Sequence, residues 1–132
     1  MLVSTKGRYA LSVMIDLAEH DKDGYVPLAD IAQRQGISKK YLEAIISALA
    51  KEKMVKGIRG KGGGYKLSRK PEEYSVGEIL EVTEGTLAVI ACLAEENNEC
   101  PRVDICETLP MWKEYNKMVY DFFYSKKLSD LV

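Results

Sequence analysis

One histidine, three cysteines, two phenylalanines and four prolines leave this 132-residue chain poor in the residues that build active sites and disulfide frameworks. With a single imidazole, no nucleophile motif and no phosphate-binding loop beside a βαβ unit, there is little from which to assemble catalysis, and an enzyme is the first class excluded. The odd cysteine count argues against a disulfide-stapled domain. No apolar run approaches the length that spans a bilayer, and the opening Met1-Leu2-Val3-Ser4-Thr5-Lys6 lacks the apolar centre of a signal peptide. A cytoplasmic protein is expected. Internal repeats and low-complexity tracts are missing too. What is present, 46% hydrophobic residues, suffices for one compact core plus an extension.

Net charge is also nearly absent, at −1, yet that balance conceals two oppositely charged regions. Between Lys51 and Lys70 stand eight basic residues, Lys51, Lys53, Lys56, Arg59, Lys61, Lys66, Arg69 and Lys70, against the single acid Glu52. From Glu72 to Pro110 there are ten acids and only Arg102. Local cation density, not the total, engages a polyanion, so a net-acidic chain remains compatible with DNA.

The basic region contains Arg59-Gly60-Lys61-Gly62-Gly63-Gly64-Tyr65, whose glycines permit the positive φ angles of a tight reversal while Arg59 and Lys61 place cations at its tip. Met54 to Ile58 on one side and Tyr65 to Ser68 on the other read as the strands of a hairpin. Upstream, Leu28 to Gln35 reads as a helix stopped by Gly36, and Ser38 is an N-cap for a second helix from Lys39 to Lys51. In that helix Leu42, Ile45, Ile46 and Leu49 keep the spacing of one buried face. Its exposed face opens with Lys39, Lys40, Tyr41, Glu43 and Ala44, where the second helix of a helix-turn-helix presents its start to base edges. Helix, turn, helix and basic hairpin, in that order, predict a winged helix-turn-helix and double-stranded DNA as the partner. Ser38, Lys39, Lys40, Tyr41, Glu43, Arg59 and Lys61 are the candidate DNA-binding residues, with Glu43 suited to accept from cytosine N4.

Three further helices are expected. The first runs from Thr5 to about His20, with Tyr9, Leu11, Val13, Met14, Leu17 and Ala18 on a wide apolar face. Beyond Pro71, the capping box Ser75-Val76-Gly77-Glu78 opens a short helix over Val76 to Thr83. From Leu109 to Tyr124, the residues Trp112, Tyr115, Met118, Val119, Phe122 and Phe123 cover more than one stripe, so this helix needs two partners: its own domain and a second copy of the chain. A homodimer would read the two halves of a palindromic operator. Lys126 to Val132 reads as a closing turn.

All three cysteines, Cys92, Cys100 and Cys106, fall in one loop as Cys-x7-Cys-x5-Cys. Three thiolates on a flexible loop can close around a soft metal centre. Structural zinc is a competitor, although the tight Cys-x2-Cys pair usual in zinc sites is absent. Reversible thiol oxidation, or an acidic docking loop for a protein partner, are the metal-free alternatives.

Ser4-Thr5-Lys6-Gly7-Arg8-Tyr9-Ala10, Val26-Pro27-Leu28-Ala29-Asp30-Ile31-Ala32, Gln35-Gly36-Ile37-Ser38 with Tyr41-Leu42-Glu43, and the basic glycine turn together resemble the IscR-like iron-sulfur cluster regulators of the Rrf2 family. The likeness covers nearly the whole chain. It implies a homodimeric winged-helix transcription factor, mainly a repressor, whose cysteines hold a 2Fe-2S cluster and whose targets are cluster assembly genes. Two features depart from the family pattern. The first cysteine gap is two residues longer, and Leu109 stands where such regulators place a histidine. The position at which a related sensor supplies a first-helix acid from its partner subunit is Arg8, which cannot ligate iron. Glu107, Glu43, His20 or an exogenous group are then the candidates for a fourth ligand.

The expected architecture is mainly α with a small β-hairpin. It divides into a winged helix-turn-helix domain over 1–84, a cysteine-bearing sensor loop over 85–108, and a dimerisation helix with a C-terminal turn over 109–132.

Overall fold

The computed structural model describes residues 2–132. Its helices are α1 (Thr5–Glu19), α2 (Leu28–Gln35), α3 (Lys39–Lys51), α4 (Val76–Glu84) and α5 (Leu109–Ser125). The strands β1 (Val55–Ile58) and β2 (Gly64–Leu67) form one antiparallel hairpin, with Val55 opposite Leu67 and Ile58 opposite Gly64. Single 3-10 turns occupy Asp21–Asp23, Pro71–Glu73, Ala91–Leu93 and Leu128–Leu131. This is a winged helix-turn-helix followed by a long C-terminal helix, as the sequence predicts.

Local chemistry sets most boundaries. The Ser4 hydroxyl accepts from the Gly7 N–H to cap α1, and Ser38 accepts from Tyr41 to cap α3. Gly36 ends α2 in the left-handed region at φ 64°. Ser75 and Glu78 form the reciprocal capping box of α4. Thr108 is the exception. It precedes α5 without capping it.

The core gathers Ala10, Val13, Met14 and Leu17 of α1 against Ile31 of α2, the buried stripe of α3, Ile79 of α4, and Val55 and Leu67 of the hairpin. Tyr9 is not part of it. The ring stays on the surface, edge-on to Tyr41 with centroids 5.7 Å apart, because α1 is needed on only one side. A second apolar cluster, Val76, Leu80 and Leu87 with Val3, Leu11, Tyr120 and Phe123, joins α4 to α5. After α5 the chain returns to the first core: Leu128 is fully buried, its N–H donates to the Tyr74 carbonyl, and Val76 N–H donates to the Lys126 carbonyl. The closing turn is therefore part of the winged core.

Asp16 is an unusual core residue, 1% exposed on α1. It accepts two hydrogen bonds from the Arg34 guanidinium, at 2.7 and 2.9 Å, and one from Gln35 at 2.9 Å, which fixes the end of α2 on α1. Burial alone would push its pKa up. The hydrogen bonds from Arg34 and Gln35, with the charges of Arg34 and His20, outweigh burial and hold the carboxyl below its usual range. The folded pKa is thus lower than the unfolded one, so the pair's contribution is complete above about pH 4 and is lost as pH falls through the folded value. Asp16→Ala should cost about 2–3 kcal/mol, less than a fully buried pair because Arg34 is partly solvated. Asp16→Asn should also flatten the fall in melting temperature between pH 6 and pH 3, which thermal melts at the two pH values would reveal.

Candidate DNA-binding face and cysteine loop

The hairpin is held at its base and at its side. At the base, the fully buried Tyr74 hydroxyl accepts from the N–H groups of Ser68 and Arg69, both at 3.0 Å, and donates to the Met54 carbonyl. The Arg69 guanidinium lies 4.2 Å from the centre of the Tyr74 ring and pairs with Glu78 at 2.7 Å. At the side, Val26 and Tyr65 exchange backbone hydrogen bonds of 2.8 and 2.9 Å, so the segment before α2 adds a third partner to the hairpin. Gly64 makes that approach possible: at φ 153°, a Cβ on it would collide with the Val26 backbone. Pairing of Gly64 with Ile58 starts β2 one residue earlier than the alternation of the sequence suggests. Gly64→Ala should therefore displace the hairpin and lower stability by about 2 kcal/mol or more, the scale of a core overpacking, read as a drop in melting temperature.

The candidate DNA-binding residues divide into groups. Lys39 and Glu43, one turn apart on α3, wall a groove whose opposite side is the hairpin, at Ile58, Gly60, Gly63 and Gly64. It is also lined by Pro27, Leu28 and Ala29 at the start of α2, which the sequence marks only as part of a family-like segment and not as candidate DNA-binding residues. The free backbone N–H groups of a helix start attract phosphate. Lys40 and Tyr41 are exposed on the first turn of α3 outside this groove, and Tyr41 is steadied by Tyr9. The Ser38 hydroxyl is committed to its cap. Arg59 and Lys61 are fully surface residues at the hairpin tip, and neither forms an ion pair among the described residues. Ile58, 49% exposed beside them, is an apolar surface residue that charge patterning does not reveal.

The cysteine loop leaves α4 at Gly85 and enters α5 at Leu109. All three thiols are free and partly exposed. Cys92 and Cys100 line one shallow recess with Ala91 and Asn98, whereas Cys106 lies outside it. Among the described residues no three His, Cys, Asp or Glu side chains stand close enough together to hold one metal ion. The thiol of Cys106 faces the Thr108 hydroxyl at 3.6 Å; that hydrogen bond, aided by the Thr108 and Leu109 N–H groups and the charge of Arg102, lowers its pKa and favours the thiolate. Thr108 thus serves the sulfur instead of the helix start.

Of the candidate fourth ligands, His20 is engaged through Nδ1 with the Asp16 carbonyl at 2.8 Å, at the end of α1. Glu43 lies in the groove beside the hairpin. Neither is brought to the cysteines of its own chain. Glu107 is exposed next to Cys106. Asn98 also lines the recess, and its Nδ2 is buried with no hydrogen-bond partner. Three soft thiols and an unpaired buried donor fit a sulfur-rich anionic centre in kind. They supply one ligand too few, and Cys106 must swing inward to join the other two.

One uncovered face of α5 is apolar, while Lys113, Glu114, Lys117 and Asp121 are exposed elsewhere on the helix. Met111, Tyr115, Met118 and Phe122 are all more than 40% exposed, and only Leu109 of this helix is buried. An open groove lies between Val3 and this face, lined by Tyr115, Met118, Val119, Phe122 and Phe123. No helix is long and apolar enough among the described residues to cross a membrane.

Comparison with known proteins places these features in context. The sequence profile of the Rrf2 family, described as an iron-dependent transcriptional regulator, matches residues 3–132. The HTH-type transcriptional regulator IscR of Pectobacterium atrosepticum is 39% identical over 132 residues, covering all of this chain and 79% of that protein. Among solved structures, IscR of T. potens superposes with a TM-score of 0.76 at 36% identity, covering 99% of this chain and 85% of the other. CymR, the global cysteine regulator of B. subtilis, superposes with a TM-score of 0.81 at 34% identity, covering 99% of this chain and 95% of the other. These relatives are transcriptional regulators, not enzymes.

Proposed function

Because this chain belongs to the Rrf2 family of transcriptional regulators, we propose that it is a cytoplasmic, homodimeric repressor of iron-sulfur cluster assembly genes that senses 2Fe-2S cluster status through Cys92, Cys100 and Cys106. The observation that carries this reading is the position of the three thiols on the single segment joining the winged core to the apolar helix α5. Any event that orders this loop acts on how α5 leaves α4. If α5 packs against its counterpart in a second copy, its direction sets the spacing of two recognition helices, and half-site spacing is what a dimeric reader measures.

Each group then has a task. Lys40, Tyr41 and Glu43 face base edges, with Lys39 at the mouth of the groove, while Arg59 and Lys61 neutralise phosphates or enter the minor groove. Ser38 holds the start of α3 in place. Cys92, Cys100 and Cys106 supply three ligands, and the fourth comes from Glu107, from a partner subunit or from an exchangeable group. When bound, the cluster supplies a one-electron couple and a cross-link within the loop. An oxygen or exchangeable donor binds iron less tightly than thiolate or imidazole, which makes occupancy responsive to supply. Regulation requires that loaded and unloaded forms differ in affinity for at least one operator, since a ligand indifferent to both states shifts nothing.

The test is the iron and acid-labile sulfide content, with the visible spectrum, of protein purified without oxygen. About two irons and two sulfides per chain, with charge-transfer bands lost in Cys92→Ala, are expected for this reading. A second reading is supported by the likeness to CymR, including the oxidised form of Staphylococcus aureus CymR at 31% identity and a TM-score of 0.75. In this second reading Cys92, Cys100 and Cys106 respond to peroxide without iron. A colourless protein that takes up neither iron nor sulfide on reconstitution, but changes DNA affinity reversibly with peroxide and reductant, would replace the cluster by that chemistry.

A further inference from the structure

The basic residues between Lys51 and Lys70 do not all belong to the tip of the wing. Arg59 and Lys61 stand there, while Arg69 is held at the base by Glu78. Lys56 and Lys66 form a separate pair, directly opposite each other on β1 and β2. The next pair toward the base, Val55 and Leu67, is buried in the core, and side chains alternate across a strand, so both lysines stand on the face of the hairpin turned away from the core. Lys56 is exposed and Lys66 half-buried. Like charges directly opposite each other destabilise a strand pair, because their Cβ atoms are only about 5 Å apart. No carboxylate offsets these two, since neither lysine forms an ion pair among the described residues. The Lys66 Nζ instead lies 5.7 Å from the centre of the Tyr25 ring, which steadies the cation without neutralising it.

We propose that this face of the wing is a further DNA contact, in which Lys56 and Lys66, the latter set by Tyr25, hold phosphates of the duplex that flanks the half-site. The proposal rests on the DNA-binding reading above and adds to it a surface outside the groove beside α3. That groove reaches the hairpin at Ile58 and Gly64, and neither lysine lines it. Lys56 and Lys66 lie one position and more beyond this border, farther from the tip, where they meet the duplex as it continues past the half-site. A local conflict left uncorrected by the fold belongs to a functional site, and here a polyanion resolves it. Duplex DNA carries a negative charge for about every 1.7 Å of its axis, dense enough to satisfy two cations about 5 Å apart.

Threonine keeps the strand propensity of both positions, so the variants are Lys56→Thr alone and Lys56→Thr with Lys66→Thr. The probes are two duplexes: a site selected from a random pool and trimmed to the shortest length that wild type still binds, and the same site extended on each side by about ten base pairs, one helical turn. On the extended duplex the double variant should bind about tenfold or more weaker than wild type, with a salt slope flatter by about 3–4 for four lysines per dimer. On the trimmed duplex it should lose less than about twofold, whereas Arg59→Ala should weaken both duplexes alike. Without DNA, Lys56→Thr should melt about 1–3 °C above wild type, because the like-charge pair is gone and Lys66 keeps its ring. Should the double variant fail to fold, Lys56→Thr on the extended duplex, with a slope flatter by about 2, decides the matter. Equal affinities of wild type and variant on the extended duplex, or equal losses on both duplexes, would overturn the flanking contact while leaving the wing tip in place. Wild type for which no duplex can be selected would overturn the DNA-binding reading, and the flanking contact with it.

Discussion

Phe122→Glu is expected to convert a dimer into a monomer and to lower affinity for a palindromic site by about 10²–10⁴, the range gained when two linked modules bind together. The grounds are the apolar face of α5. Met118 and Phe122 are 62% and 55% exposed, one turn apart, beside Tyr115 and Met111. A monomer seldom leaves so many large apolar side chains on one helix in water, and apolar patches of this kind mark interfaces. The inner side of the same helix is already satisfied by Val76, Leu80 and Leu87 through Tyr120 and Phe123. Tyr124 adds to that attachment by lying over Gly77 and donating to Glu81 at 2.8 Å. A charge at Phe122 would spare the inner contacts, so the winged core should keep its fold. Sedimentation of the variant, with its circular dichroism as a control, checks both halves of the expectation. A variant that remains dimeric with full affinity would remove α5 from the interface.

The second large effect is expected at the wing. Replacing Arg59 and Lys61 together by Ala removes two cations per chain and four per dimer. Each phosphate contact carries a slope of about −0.9 in log affinity against log salt, so the slope should flatten by about 3–4. Affinity at low salt should fall by about 10²-fold or more, nearly equally for specific and unrelated sequences, because phosphate contacts carry no base information. Fold stability should barely change, since neither side chain has an ion pair among the described residues. Replacing Glu43 should do the reverse, altering which sequences bind more than how strongly the backbone is held. Binding titrations at several salt concentrations, with a specific and a scrambled duplex, separate the two patterns.

Much of this was legible in the chain because its cues are local. The Ser38 cap, the Gly36 stop, the Ser75–Glu78 capping box and the glycine turn each act within four residues, and the helices and hairpin they delimit follow the expected bounds closely. What could not be read is the tertiary pairing. The Val26–Tyr65 bridge, the Tyr74 clamp on the hairpin base, and the Asp16–Arg34 tie join residues 18 or more positions apart or depend on side chains with many possible partners. Leu128 gave no sign that the last turn re-enters the core, because Leu128, Leu131 and Val132 in so short a tail set no period that singles out Leu128. Tyr9 misled for a related reason: on a helix with a wide apolar stripe, an aromatic at its margin packs on the surface as readily as in the core.

The cysteine loop shows where spacing stops being informative. Cys-x7-Cys-x5-Cys establishes that three thiols share a segment, not which of them meet. The fold puts Cys92 and Cys100 on one recess and leaves Cys106 beside Thr108. It also places His20 against Asp16 and Glu43 in the groove beside the hairpin, so of the candidates named from the sequence only Glu107 lies in the cysteine loop, while Glu95 and Glu99 border the recess of Cys92 and Cys100. Asn98 has no signature in the sequence at all. Its Oδ1 bond to the Cys100 N–H and the unpaired, buried end of its amide distinguish it from its neighbour Asn97.

The dependence of DNA affinity on the state of the three thiols is the most direct test of the whole account. Duplexes selected from a random pool would be titrated, without oxygen, with iron-and-sulfide-loaded protein, with cluster-free protein, and with the triple variant in which Cys92, Cys100 and Cys106 are Ala. The account predicts palindromic sites, a difference of about tenfold or more between loaded and cluster-free protein on at least one of them, worth about 1.4 kcal/mol of coupling, and a triple variant that matches the cluster-free form. Equal affinities for all three proteins on every selected duplex would contradict it.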